Sequence, residues 1–121
     1  MKKTILIVDD ERDLVEVLKL KLETEGYSTN EAYDGNAALE QVRQKRPDLI
    51  LLDIMMPELN GYQVCRELKK DPNYKDIPIM MLTAKAQESD KFWGIETGAD
   101  EYITKPFDFK KLLESIRKFL K

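Results

Sequence analysis

The sequence predicts an α/β fold in which a doubly wound parallel sheet of five strands is covered by five helices. Short runs of β-branched and leucine residues alternate along the chain with segments of helical periodicity, which is typical of βαβ units and a parallel sheet. The run Leu49 to Leu52 is apolar throughout, which indicates a central strand buried on both faces. A chain of 121 residues suits one domain, so we expect residues 1–121 to form a single unit.

The first half of the chain contains three predicted strands and two predicted helices. The strands are expected at Ile5 to Val8, Ser28 to Ala32 and Leu49 to Leu52. The first helix runs from about Asp13 to Glu25, because Gly26 supplies a stop signal. Its apolar stripe is expected to comprise Leu14, Val17, Leu18 and Leu22. The second helix lies between the turn signal at 34–35 and Pro47.

The second half of the chain predicts three further helices and two further strands. The third helix follows the turn signal Asn60-Gly61 and is expected to bury Val64, Cys65 and Leu68. The fourth strand, Ile77 to Leu82, should be hydrogen-bonded only in its later residues, because Pro78 lacks an N–H donor. The remaining elements are a short helix at Ser89 to Thr97, a strand at Glu101 to Thr104 and a helix from about Asp108 to Leu120.

Composition excludes several classes of function. The net charge is only −3 although 36% of the residues are charged, so the chain lacks the basic footprint of a nucleic-acid-binding protein. The absence of histidine excludes histidine-assisted nucleophiles, the usual zinc sites and a role as phosphohistidine carrier. The single cysteine, Cys65, cannot form an intramolecular disulfide and suits a reducing compartment. With no visible secretory signal or membrane span, we expect a cytoplasmic protein that binds neither membrane nor nucleic acid.

Three aspartates follow two of the predicted strands. Asp9 and Asp10 come directly after the first strand, and Asp53 comes directly after the third. In one parallel sheet these three carboxylates would converge at one edge, where two unit charges ~5 Å apart at an effective dielectric of ~20 repel by roughly 3 kcal/mol. A hard divalent cation such as Mg²⁺ prefers oxygen ligands and would offset this repulsion. The pattern therefore indicates a magnesium site.

Each residue at this edge also has a purely structural interpretation. Asp10 is suited to cap the first helix, with Asp13 three residues later, and Asp53 is suited to begin a turn. Thr83 and Lys105 follow the fourth and fifth strands, where threonine often starts a turn and lysine is often a surface charge. Together, however, they place carboxylates, a hydroxyl and an ammonium where open α/β sheets bind ligands. This combination suits phosphoryl transfer to a carboxylate.

Four motifs are spread over the chain. They are Ile5-Leu-Ile-Val-Asp9-Asp10-Glu11, Pro47-Asp48-Leu-Ile-Leu-Leu-Asp53-Ile-Met-Met-Pro57, Leu82-Thr83-Ala84-Lys85 and Gly98-Ala99-Asp100-Glu101-Tyr102-Ile103-Thr104-Lys105-Pro106-Phe107. In this order they closely resemble the receiver domains of bacterial two-component response regulators, and the resemblance covers essentially the whole chain. It implies a flavodoxin-like sheet with strand order 2-1-3-4-5.

The resemblance implies a role for each residue at the sheet edge. Asp53 would be the phosphoacceptor and would take a phosphoryl group from a phosphohistidine of a sensor histidine kinase. Mg²⁺ would be held directly by Asp10, by Asp53 and by the backbone carbonyl of Met55, and through water by Asp9. Lys105 would bind a phosphoryl oxygen.

The resemblance also implies a conformational switch. Thr83 would move to hydrogen-bond the phosphoryl group, Ala84 would leave room for that group, and Tyr102 would turn inward. The Lys105-Pro106 peptide bond would be cis. The output surface would be formed by the fourth helix, the fifth strand and the fifth helix, and it would control a downstream protein target or an effector domain. Such a domain is not an enzyme, although it catalyses its own phosphorylation and dephosphorylation, and it is a monomer that either stays monomeric or dimerises when phosphorylated.

Several alternatives stay open at this point. One is a Mg²⁺-dependent aspartyl-phosphate phosphatase of the haloacid dehalogenase type, for which Asp9-Asp10-Glu11 is a poor match and the chain is short. Another is an interaction module with an inert acidic pocket, which the intact hydroxyl and ammonium disfavour. Val15 and Trp93 are either core residues or contacts to a partner. The chain itself is either a stand-alone regulator or a part of a longer transcription factor.

Overall fold

The computed structural model describes residues 2–83 and 98–120. In chain order its elements are β1 (Thr4–Val8), α1 (Arg12–Thr24), β2 (Ser28–Ala32), α2 (Gly35–Gln44), β3 (Leu49–Asp53), α3 (Gly61–Lys70), β4 (Ile79–Thr83), β5 (Glu101–Thr104) and α4 (Phe109–Phe119). The helix that the sequence predicts at Ser89 to Thr97, with Trp93, lies outside the described residues, as does Ala84. The other four predicted helices are confirmed, and the predicted fifth helix is α4. None of these four is both long and apolar enough to cross a membrane.

The five strands form one sheet in the order β2-β1-β3-β4-β5, and each neighbouring pair is parallel, as predicted. Every residue of β1, β3 and β4 is buried, which confirms that β3 is a central strand. The register pairs Val8 with Leu52 and Asp53 with Leu82. The residues that end or follow these strands therefore emerge side by side at the carboxyl edge of the sheet.

The sheet divides the core into two apolar layers, because successive residues of a strand point to opposite faces. The layer that includes α2 and α3 contains Leu6, Val8, Ala38, Val42, Ile50, Leu52, Val64, Cys65 and Leu68, among others. The layer that includes α1 and α4 contains Ile5, Ile7, Val15, Leu18, Leu22, Leu49, Leu51, Leu112, Leu113 and Ile116. Helices on both faces confirm the doubly wound arrangement.

The apolar stripe of α1 was predicted incorrectly at one position. Val15, Leu18 and Leu22 are buried, whereas Val17 is 48% exposed. At about 100° per residue, Val17 lies roughly 200° from Val15 around the helix axis and so faces the solvent. Apolar residues occur around most of this helix, and the sheet selects which of them turn inward. Val15 is fully buried and belongs to the core, so the alternative that it contacts a partner is also wrong.

The start of α3 lies directly against the end of β3. A Cβ atom added to Gly61 would lie 2.8 Å from the Cα of Ile54 and would overlap the carbonyl oxygen of Asp53. Asn60 begins the helix with a capping box, in which its side chain accepts from the N–H of Gln63 at 3.0 Å and the Gln63 side chain accepts from the N–H of Asn60 at 2.8 Å. This packing fixes the backbone that carries Asp53.

Candidate functional site

Asp9, Asp10 and Asp53 converge at the carboxyl edge of the sheet, as the sequence predicted. One carboxylate oxygen from each residue lies within 4.8 Å of those from the other two. Asp9 and Asp53 are buried and Asp10 is exposed. The cluster forms because β1 and β3 are neighbours in the sheet. Asp10 does not occupy the N-cap position of α1, which is taken by Glu11, so the capping interpretation of Asp10 was wrong.

Lys105 brings a cation to these acids. Its ammonium nitrogen, Nζ, donates to Asp9 Oδ2 at 2.7 Å and to Asp53 Oδ1 at 3.3 Å. A third contact joins Nζ to Glu11 Oε1 at 3.4 Å, between residues 94 positions apart. The sequence predicted Lys105 in the site but gave Glu11 no role. The sequence signal that could have identified Glu11 as a site residue is its long acidic side chain, directly after Asp9 and Asp10.

Thr83 and Lys105 are placed by the neighbouring ends of β4 and β5. Thr83 ends β4, is buried, and is paired in the sheet with Thr104. The backbone N–H of Lys105 donates to the carbonyl of Thr83 at 2.6 Å. The Lys105-Pro106 peptide bond is cis, as predicted. Tyr102 lies half-buried on β5, where it packs against the core layer that includes α3.

Burial and neighbouring charges alter the acid–base properties of the two central groups. Burial, together with the negative charge of Asp9, raises the pKa of Asp53 from 3.8 to about 6, although Lys105 opposes part of this shift. Burial lowers the pKa of Lys105, but its hydrogen bond to Asp9 and the charges of Asp53 and Asp9 outweigh this effect, so the pKa is raised above 10.5. At neutral pH Asp53 is therefore mostly ionised, more basic than an ordinary aspartate, and adjacent to a cation.

The donors at this edge fit a hard divalent cation. Three carboxylates face one ammonium, so negative charge is in excess, and an all-oxygen donor set suits Mg²⁺ better than it suits zinc. The two oxygens of Asp9 already accept hydrogen bonds, Oδ1 from the N–H of Glu11 at 2.9 Å and Oδ2 from Lys105. Asp10 is the most solvent-accessible acid of the three. The side chain of Met55, two residues after Asp53, is directed outward and is 73% exposed.

The fold and the site together define the class of this protein. It is a doubly wound α/β domain whose sheet carries three acids, a buried threonine and a lysine at its carboxyl edge. The chain belongs to the response regulator receiver domain family, whose family model matches residues 5–117. Every candidate residue of the site lies within that match. The haloacid dehalogenase alternative is not supported by this assignment.

Solved structures agree with the family assignment. The chain is 39% identical to the receiver domain of a signal transduction histidine kinase from Syntrophus aciditrophicus, with 98% of this chain and 89% of that chain covered and a TM-score of 0.91. It is 37% identical to a protein of Chloroflexus aurantiacus J-10-fl classed as a response regulator, with 99% and 98% covered and a TM-score of 0.94. It is 29% identical to the chemotaxis protein CheY4 of Vibrio cholerae, with 98% and 99% covered and a TM-score of 0.93.

Proposed function

We propose that this receiver domain accepts a phosphoryl group on Asp53 from a phosphohistidine of a sensor histidine kinase, in a reaction that depends on Mg²⁺. The observation that carries the proposal is the position of Lys105, whose ammonium contacts both Asp53 and the fully buried Asp9. Asp53 is a buried carboxylate that lies beside one cation, Lys105, and two further acids, Asp9 and Asp10. If Asp53 gains a phosphoryl group, the ammonium of Lys105 is in place to neutralise part of the added negative charge.

Asp53 is the nucleophile in this proposal. One of its carboxylate oxygens forms a bond to phosphorus while the P–N bond of the phosphohistidine breaks, and the imidazole nitrogen keeps the bonding electron pair. A pKa of about 6 supports this role, because Asp53 is then mostly ionised at neutral pH yet more basic than an exposed aspartate. Lys105 neutralises the charge that gathers on the phosphoryl oxygens, and Thr83 is the second group that binds them.

The metal would be held by Asp10, Asp53 and the backbone carbonyl of Met55, with Asp9 acting through water. When bound, the cation supplies two positive charges that balance the acids and the incoming phosphoryl oxygens. The hydrogen bonds already made by both oxygens of Asp9 support an indirect role for this residue. The exposure of Asp10 supports a direct one, because its carboxylate needs little desolvation to reach an ion.

The output of the domain would be a change of surface. Thr83 would move toward the phosphoryl group, which Ala84 leaves room to admit, and Tyr102 would turn into the space that Thr83 vacates. Thr83 and Tyr102 lie on the adjacent strands β4 and β5, so a displacement at the sheet edge has a short route to the face formed by β5 and the C-terminal helix α4. That face would control a downstream protein target or an effector domain.

Labelling with a small phosphodonor tests the proposal. Wild type and Asp53→Asn are incubated with acetyl phosphate and Mg²⁺, and the intact mass is followed with and without EDTA. We expect one phosphoryl group on wild type only, and only with Mg²⁺. The exposed Asp76→Asn, outside the cluster, is the matched control and should label like wild type. Equal labelling of Asp53→Asn, or hydrolysis of many equivalents of donor without a retained group, would contradict the proposal.

A further inference from the structure

Glu11 lies at the start of α1, where a side chain usually caps the helix. It is the N-cap residue of α1, yet its side chain makes no capping hydrogen bond. Helices are capped well by Asp, Asn, Ser and Thr, whose short side chains reach the free N–H groups of the first turn, and Glu is not among them. The Glu11 carboxylate instead contacts Lys105, while the Glu11 backbone N–H holds Asp9. Glu11 therefore touches the site through both its backbone and its side chain.

The three contacts of Lys105 are unequal. An ammonium group has three N–H donors, and here three carboxylates surround it. Asp9 is fully buried and lies 2.7 Å away, so this contact alone fixes the ammonium. Asp53 at 3.3 Å and the 66%-exposed Glu11 at 3.4 Å are both farther from Nζ than a strong charge-assisted hydrogen bond requires. Asp9 anchors the ammonium, and Glu11 and Asp53 share what is left of its donor capacity.

We infer that Glu11 acts through Lys105: its carboxylate competes with the incoming phosphoryl group for the Lys105 ammonium. The inference rests on the proposed function of Asp53. A contact that must weaken when the phosphoryl group arrives stabilises the unreacted state more than the transition state, and it therefore slows transfer. Glu11 is not needed to place Lys105, because Asp9 already does so. Removal of the Glu11 contact should raise the maximum rate of phosphorylation.

Two substitutions separate the contact from the charge. Glu11→Gln keeps the length and removes the charge, whereas Glu11→Asp keeps the charge and is one methylene too short to reach Lys105. The matched control is Glu16→Gln. Glu16 is an exposed residue of α1 and is not among the carboxylates around Lys105. With acetyl phosphate titrated at constant Mg²⁺, both Glu11 variants should show a maximum rate about twofold to fivefold above wild type, the range expected for loss of an exposed ion pair. Glu16→Gln should match wild type.

A second measurement reports on Lys105 without any phosphodonor. In ¹⁵N-lysine-labelled protein, the side-chain resonance of Lys105 should shift in both Glu11 variants and stay in place in Glu16→Gln. This readout separates a contact with Lys105 from an effect of Glu11 on the stability of α1, which would not move that resonance.

Three results would overturn the inference. Both Glu11 variants could phosphorylate at the wild-type maximum rate, or the Lys105 resonance could stay unchanged. Alternatively, only Glu11→Gln could be faster, through a lower half-saturating donor concentration that high salt abolishes, which would indicate repulsion of the anionic donor instead. Failure of the proposed function looks different, because wild type itself would then not retain a phosphoryl group.

Discussion

Asp53→Asn should stabilise the metal-free protein, because the native fold keeps a carboxylate in an environment that disfavours its charge. The rise of the Asp53 pKa from 3.8 to about 6 corresponds to roughly 3 kcal/mol at about 1.4 kcal/mol per unit. A raised acid pKa means that the folded state binds the proton more tightly than the unfolded state. The penalty is therefore absent below the unfolded pKa, grows as the pH rises between the two pKa values, and is complete above about 6.

The measurement is urea denaturation of wild type and Asp53→Asn in EDTA across a range of pH. We expect the variant to be more stable by about 3 kcal/mol at pH ~8, with the difference falling to roughly half at pH ~5. The exposed Asp76→Asn serves as the control and should show no such trend. Added Mg²⁺ should narrow the difference, because the proposed metal site is complete only in the folded wild type. If Asp53→Asn is no more stable than wild type at pH ~8, or if its advantage does not decline as the pH is lowered, the buried Asp53 carboxylate does not destabilise the native fold.

Three further predictions concern the metal, the switch and the loop after β3. Asp10→Ala should weaken Mg²⁺ binding measured by calorimetry more than Asp9→Ala does, because both oxygens of Asp9 already accept hydrogen bonds; equal losses would contradict this. Thr83→Ala should still be phosphorylated but should lose most of the change in amide hydrogen exchange that beryllium fluoride induces in residues 98–108; a wild-type response would exclude the proposed coupling. The backbone of Glu58 has a φ of 64°, a left-handed conformation that costs more free energy for glutamate than for glycine. Glu58→Gly should therefore raise the free energy of unfolding by about 1 kcal/mol. A decrease in this free energy, measured by urea denaturation, would show that the conformation is not strained.

The sheet and its acidic edge were predictable because they depend on local signals. An uninterrupted apolar run identifies β3 as central, and each strand end fixes where the following side chain emerges. The prediction that Pro78 restricts the fourth strand to its later residues is confirmed, because β4 begins at Ile79. These features follow from backbone chemistry and the period of two along a strand, which a sequence displays directly.

Other features depend on packing between distant segments, and the sequence did not reveal them. Val17 and Val15 are equally apolar, and only the position of α1 on the sheet decides that Val15 is buried. The contact between Glu11 and Lys105 joins residues 94 positions apart and depends on how α1 and β5 approach the same edge. The raised pKa of Asp53 likewise arises from burial that only the assembled fold provides.

Chemical trapping shows which residue carries the phosphoryl group, which we propose is Asp53. Borohydride reduces an aspartyl phosphate to homoserine, so the modified residue can be located by peptide mass spectrometry. After incubation with acetyl phosphate, we predict homoserine at position 53 alone, formed with Mg²⁺ and absent with EDTA. Homoserine at position 9 or 10, or no conversion in protein that has gained the mass of a phosphoryl group, would exclude Asp53 as the phosphoacceptor.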